Sequence, residues 1–239
     1  MRRLRPPRAR YARAMRLALI TACLLLPSVF ATASAQELLP RLLAAAPDID
    51  PEVLALALEA RECAMSDAAV DGPQRLAVID YTLPSTRKRL WIFDLHKAAL
   101  LYEEHVAHGR GSGGNMATRF SNIEGSYQSS IGLFVAAETY QGENGYSLRL
   151  DGLEPGINDN ARERLLVMHG ADYVDPAQAR RQGRLGRSWG CPAVRKSVAH
   201  GVIDSLKQGQ LVFAYAEDAA WLNGSRYLHC DKPERGGAH

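Results

Sequence analysis

The chain has 239 residues, 46% hydrophobic and 23% charged, with four cysteines: an ordinary soluble globular composition with material for one sizeable core. Its formal charge of +3 does not point to nucleic acid, because seven arginines lie among the first 16 residues and the rest of the chain carries −4. No nucleic-acid-binding signature occurs elsewhere.

The N-terminus carries Arg2, Arg3, Arg5, Arg8, Arg10, Arg13 and Arg16 without an acid, then an apolar run from Leu17 to Phe30, then Ala33-Ser34-Ala35 before Gln36. That order predicts a signal peptide over residues 1–35, cleaved after Ala35, and a protein of the periplasm or cell envelope. The apolar run contains Pro27 and falls short of the ~20 residues that span a bilayer, so no stable membrane anchor is expected. Ile20-Thr21-Ala22-Cys23 resembles a lipoprotein processing box, but only six residues of the apolar run precede Cys23 and the run continues past it.

Residues 36–72 read as a helical segment of two short helices broken by Pro47, the second starting at Pro51 with Asp50 as its N-cap. Val53, Leu54, Leu56, Ala57, Leu58, Ala60 and Ala64 give it an apolar face to cover one flank of the main domain. Asp71-Gly72-Pro73 marks a turn and a boundary. Over 73–218 the pattern becomes β: strands are expected in RLAVIDYTLP, KRLWIFDL, ALLYEEHVAHG, SSIGLFVAAETY, GYSLRLDGL, RLLVMHG and QLVFAYA, with one helix starting near Ser197 and ending at Gly209. Many short strands with one or two helices predict a mostly β fold, sandwich or barrel-like. Residues 219–239 form a C-terminal extension with a polar tail.

Without the leader, Cys63, Cys191 and Cys230 remain, so at most one pair can form. Sequence does not fix the connectivity; Cys63 with Cys230 would staple the two ends and leave Cys191 free. A cysteine becomes a nucleophile beside a base. His169 closes the apolar run RLLVMHG and is expected to project from a strand end at the sheet edge, with Gly170 allowing an unusual turn or close approach of a substrate.

In GRSWGCPAV, residues 186–194, Gly190 permits a tight turn that could aim consecutive amides at an oxyanion, and Pro192 stiffens the chain. Ser188 could bond the histidine, bond a substrate, or satisfy the turn. A Cys–His pair alone leaves a buried structural cysteine open, and no C-x-x-C or H-x-x-x-H spacing supports a metal site. His105 and His108 sit in a glycine-rich loop without a P-loop lysine, Tyr140, Tyr146 and Arg149 could line a groove, and Asn158 and Asn160 could shape a loop.

VMHG, followed 18 residues later by SWGCPAV, resembles the active-site signature of the L,D-transpeptidase (YkuD-type) catalytic domain family, and SSIGLF resembles the start of one of its strands. FSNIEGSYQSSIG, GYSLRLDGLEPGINDNARERLLVMHGADYV and LGRSWGCPAV extend the resemblance over roughly residues 74–216, toward an exported murein branch. The resemblance implies Cys191 as nucleophile and His169 as base, with the Gly170 carbonyl orienting the imidazole. The Gly190 and Cys191 amides would belong to the oxyanion hole, and Ser188 matches the family's Ser/Thr.

Two positions depart from the family pattern. Trp189 stands where histidine is common, and Ala193 stands where Arg or Asn is common, leaving Arg195, Arg187 and Arg149 to contact a substrate carboxylate. The function implied is acyl transfer on peptidoglycan stem peptides, with carbapenem acylation of the same cysteine and no metal or organic cofactor. L,D-carboxypeptidase activity, D-amino-acid exchange and a non-catalytic wall-binding protein are the alternatives.

Overall fold

The computed structural model describes residues 34–230; most of the expected leader over 1–35, and the residues from Asp231, lie outside them. Helix α1 (Ala35–Ala45) starts one residue before the expected segment, because Ser34 and Glu37 form a reciprocal capping box. It stops before Pro47. Helix α2 (Pro51–Ser66) begins as expected: the Asp50 carboxylate accepts from the Glu52 and Val53 amides, and Pro51 occupies the first turn.

Eight strands follow: β1 (Arg75–Asp80), β2 (Leu90–Asp94), β3 (Ala99–Glu104), β4 (Gly132–Gly142), β5 (Gly145–Gly152), β6 (Val167–Ala171), β7 (Ala193–Arg195) and β8 (Gln210–Tyr215). Helices α3 (Pro176–Gln182), α4 (Lys196–Leu206) and α5 (Ala219–Gly224) complete the order. The expected β-hairpin β2–β3 is present, and β8 is the expected last strand. Helices α3 and α5 and strand β7 go beyond the sequence expectation. Each is at most seven residues long, too short to show a hydrophobic period.

The strands form one mixed sheet in the order β3-β2-β1-β8-β4-β5-β6-β7, with β1–β8 and β6–β7 parallel. Its two ends meet. After β3 the chain runs alongside β7, where Ala107 and Ala193 exchange backbone hydrogen bonds and nearly close the sheet into a barrel. Strand β3 therefore ends at Glu104, earlier than expected, because residues beyond it turn from β2 to this seam.

Every residue of β2 and all but the first of β1 are buried. Helices α1 and α2 pack on β1, β3 and β8, and α4 packs on β1, β5, β6 and β7. Leu38, Leu54 and Leu58 from the helices join Val78, Phe93 and Phe213 from the strands in one core, so the N-terminal helices share the interior of the sheet. A disulfide joins Cys63 of α2 to Cys230, a sequence separation of 167, and leaves Cys191 free. It is the pairing that would staple the two ends.

A polar network lies beneath the seam. Arg89 is fully buried and donates to the Leu83 and Val106 carbonyls, with its Nη2 2.7 Å from His108 Nδ1. Burial, then the Arg89 charge, push the His108 pKa down to about 4, so the imidazole is neutral in the folded protein. Unfolded, it takes up a proton near pH 6.5. The folded pKa is depressed, so this contribution to stability is present above pH ~6.5 and is lost as pH falls toward 4, by about 3 kcal/mol in all. Urea unfolding at pH 7.5 and 4.5 should show that loss, and His108→Gln should flatten it.

Candidate active site

The nucleophile loop, residues 186–192, has no regular structure of its own, so neighbouring segments take its hydrogen bonds. Ser188 donates its amide to the His108 carbonyl and accepts from the Arg110 amide. Ser129 bridges the other side: its hydroxyl accepts from the Gly109 amide at 3.0 Å and donates to the Gly190 carbonyl at 3.0 Å. Gly190 has φ +134, and a Cβ there would lie 2.9 Å from the Gln128 carbonyl oxygen, so only glycine fits.

Ser188 satisfies the turn. Its hydroxyl donates to the Cys191 carbonyl at 2.6 Å and accepts from the Gly190 amide at 3.1 Å. Of the three roles left open for Ser188, this is the turn, and the Gly190 amide expected in the oxyanion hole is engaged by the Ser188 hydroxyl. The backbone N–H groups of Val167 and of Cys191 itself favour the thiolate.

His169 sits in the middle of β6, paired with Ser147 on one side and Ala193 on the other, not at a strand end. The unpredicted β7 moves it inward by extending the ladder through Gly170 and Ala171. Gly170 makes room for α4 rather than for a substrate: a Cβ there would lie 2.7 Å from the Ala199 Cβ. Its carbonyl does orient the imidazole, 3.2 Å from His169 Nδ1. A carbonyl only accepts, so Nδ1 carries the proton and Nε2 presents a lone pair toward the Tyr173 hydroxyl, 3.5 Å away. Burial lowers the His169 pKa and raises that of Cys191, so thiol and imidazole both rest neutral.

Cys191 and His169 line one cavity of about 700 Å³, together with Tyr140, Tyr173, Arg187, Ser188, Trp189 and the stretch 164–167. In this state the thiol donates to the Leu165 carbonyl at 3.8 Å and makes no hydrogen bond to His169. Trp189 is 72% exposed, with Tyr127 edge-on at 5.9 Å and the Arg110 guanidinium over the Tyr127 ring at 4.0 Å. Arg187 anchors Nη1 on the Gly113 carbonyl at 2.7 Å, leaving Nε and Nη2 without a hydrogen-bond partner among the described residues. Two expected substrate arginines are not brought in. Arg195 forms a two-pronged ion pair with Glu104, and Arg149 pairs with Glu138 over the Tyr140 ring. Asn158 shapes the neighbouring loop, bonding the Ile131 and Leu133 carbonyls, and Asn160 bonds Asn122.

Leu165 was not foreseen. The 3-10 turn Asp159–Ala161 ends with Leu166 N–H bonding the Ala161 carbonyl and Leu165 N–H bonding the Arg162 carbonyl, the Schellman pattern. Its left-handed position usually takes glycine, yet holds Leu165 at φ +56, 66% exposed in the cavity wall. Strain of about 1 kcal/mol persists there because it puts the Leu165 carbonyl against the thiol and an apolar side chain beside it.

A nearly closed barrel with a free thiol and a neutral, oriented imidazole in one cavity defines the class. The model of the L,D-transpeptidase catalytic domain matches residues 45–215, and the chain belongs to that family. The match begins within α1 and takes in α2. No curated protein matches the sequence.

Solved structures that are similar include an L,D-transpeptidase from Mycobacterium smegmatis, 13% identical with a TM-score of 0.39, over 61% of this chain and 60% of that one. Another is L,D-transpeptidase 3 from Mycobacterium tuberculosis with a faropenem-derived adduct, 13% identical, TM-score 0.38, over 61% of each chain. A third, LdtMt1 in complex with imipenem, is 14% identical with a TM-score of 0.37, over 60% of each chain. The chain spans about three fifths of the length of these relatives.

Leu165→Gly should relieve the strain and remove the apolar wall together. The expected outcome is a gain of about 1 kcal/mol in stability by urea unfolding with a higher KM in an acyl-transfer assay. A destabilised Leu165→Gly protein would contradict this reading of the turn.

Proposed function

We propose that the protein is an exported cysteine L,D-transpeptidase that acts on peptidoglycan stem peptides. One observation carries the reading. In a member of this family, His169 Nδ1 is fixed on the Gly170 carbonyl, which turns the basic Nε2 toward the cavity that holds the free Cys191 thiol.

Because thiol and imidazole rest neutral, His169 acts as a general base rather than as half of a preformed ion pair. The thiol leaves the Leu165 carbonyl and passes its proton to His169 Nε2, and the sulfur attacks the carbonyl between the L-centre of meso-diaminopimelate and D-alanine. The Val167 and Cys191 amides favour the attacking thiolate, and the Cys191 amide is the oxyanion donor that the family resemblance implies. The C–N bond breaks, and the imidazolium protonates the departing D-alanine nitrogen. An amine of a second stem then gives its proton to His169 and attacks the thioester, releasing the thiol and forming the cross-link. Water in that step gives L,D-carboxypeptidase activity, and a free D-amino acid gives exchange.

Arg187, with donors to spare, takes the carboxylate role that Arg195 and Arg149 cannot. Tyr140 and Trp189 border the peptide path. β-Lactams such as carbapenems would acylate the same sulfur; the imipenem and faropenem complexes of similar structures support this part of the proposal. Residues 1–35, read as a cleaved signal peptide, support a location in the periplasm or cell envelope.

Incubating the chain from Gln36 with tetrapeptide stems should release D-alanine and give dimers, seen by mass spectrometry. Cys191→Ala should abolish both, and His169→Gln should slow them by at least 10²-fold. Equal products from the wild type and Cys191→Ala would sink the assignment.

A further inference from the structure

Arg164 immediately precedes Leu165, whose carbonyl holds the thiol, and it lines the same cavity as Cys191. Its Nη1 donates to the Ser121 carbonyl and the Ser130 hydroxyl, and its Nη2 to the Ser126 hydroxyl and the Gln128 carbonyl. Each Nη carries two hydrogens, so all four terminal N–H donors are spent on neutral acceptors of one loop. The guanidinium forms no ion pair with a carboxylate among the described residues. It cannot clamp a substrate carboxylate in bidentate fashion, as an arginine placed for recognition does. What it retains is a full positive charge, half-buried and fixed in direction.

The loop that fixes it also fixes the nucleophile. Ser129 bonds the Gly190 carbonyl, and the Gln128 carbonyl oxygen sits against Gly190. Arg164 and Cys191 are thus two groups held by one short segment, residues 121–130. The charge and the sulfur cannot drift apart independently.

On the transpeptidase reading, we infer that Arg164 is an electrostatic positioning residue: its fixed charge favours the Cys191 thiolate and the anionic intermediate that follows, while Arg187 recognises substrate. Of the other titratable groups lining the cavity or the nucleophile loop, His169 and Tyr173 rest neutral, Tyr81 lies buried beneath the loop, and Arg187 and Glu143 line the same cavity with opposite signs. Arg164 is the group whose charge acts on the thiol. Burial opposes ionisation of the thiol, and the Arg164 charge acts against that opposition.

The test reads the thiol and not turnover. Alkylation of Cys191 by iodoacetamide across pH 5–10, in the wild type, Arg164→Met and Arg164→Lys, gives the apparent thiol pKa of each protein. The inference predicts about a tenfold slower alkylation at pH 7 in Arg164→Met, from a profile shifted to higher pH. Arg164→Lys keeps the charge without the four-bond fork and should stay within about threefold of the wild type. Unchanged profiles, or Lys and Met variants shifted alike, would overturn the inference, since a purely structural anchor fails equally with either. Where Arg164→Met loses its native circular dichroism, Arg164→Gln takes its place. None of these outcomes touches the acyl-transfer assignment, which the products of Cys191→Ala decide separately.

Discussion

Between Gly186 and Pro192 the chain makes no ladder of its own, yet it carries the sulfur that the proposed chemistry needs held within a fraction of an ångström. Its carbonyls and amides find partners on the segment after β3: Ser188 with His108 and Arg110, Ala193 with Ala107, and Gly190 through the hydroxyl of Ser129. The same bonds bring the two ends of the sheet together. Closing the barrel and positioning the nucleophile are therefore one event, and a residue that loosens the seam loosens the site. The buried Arg89–His108 pair lies under this seam and rigidifies it, at the expense of acid sensitivity.

Around this seam the site is assembled from opposed tendencies. Burial keeps the thiol protonated and the imidazole neutral, so neither group is charged at rest. The Leu165 carbonyl accepts from the thiol in a strained left-handed turn. Against these stand the Val167 and Cys191 amides and the spent but charged guanidinium of Arg164. The balance suits a nucleophile that ionises only when a base takes its proton, and resists adventitious chemistry until then.

The strands and the main helix were legible because their hydrophobic runs are long enough to show a period: KRLWIFDL, QLVFAYA and the stretch after Ser197 lie close to where the structure puts them. The cysteine count showed only that at most one pair can form; the Cys63–Cys230 pairing, which leaves Cys191 free, was one of those the count allowed. His169 was found but misplaced, because β7 is three residues long and owes its existence to pairing with Ala107 and β6 rather than to local preference. Helix α3 escaped although Asp175-Pro176 and Gly183 mark its ends. Arg164, Leu165 and Ser129 were invisible for a different reason. Their roles depend on which carbonyl faces which loop, a tertiary fact that no spacing encodes. The arginines expected to meet substrate show the same limit, since Glu104 and Glu138 claim two of them through long-range contacts.

The central claim is that Cys191 becomes acylated with His169 as the base. Rapid acid quench of the wild-type chain with a tetrapeptide stem, followed by peptide mapping, tests it most directly. The account predicts a thioester mass increment equal to the tripeptide acyl group on the peptide containing Cys191, accumulating far more slowly in His169→Gln. Turnover of the stem with no increment on that peptide at any quench time, or an increment at another residue, would contradict it.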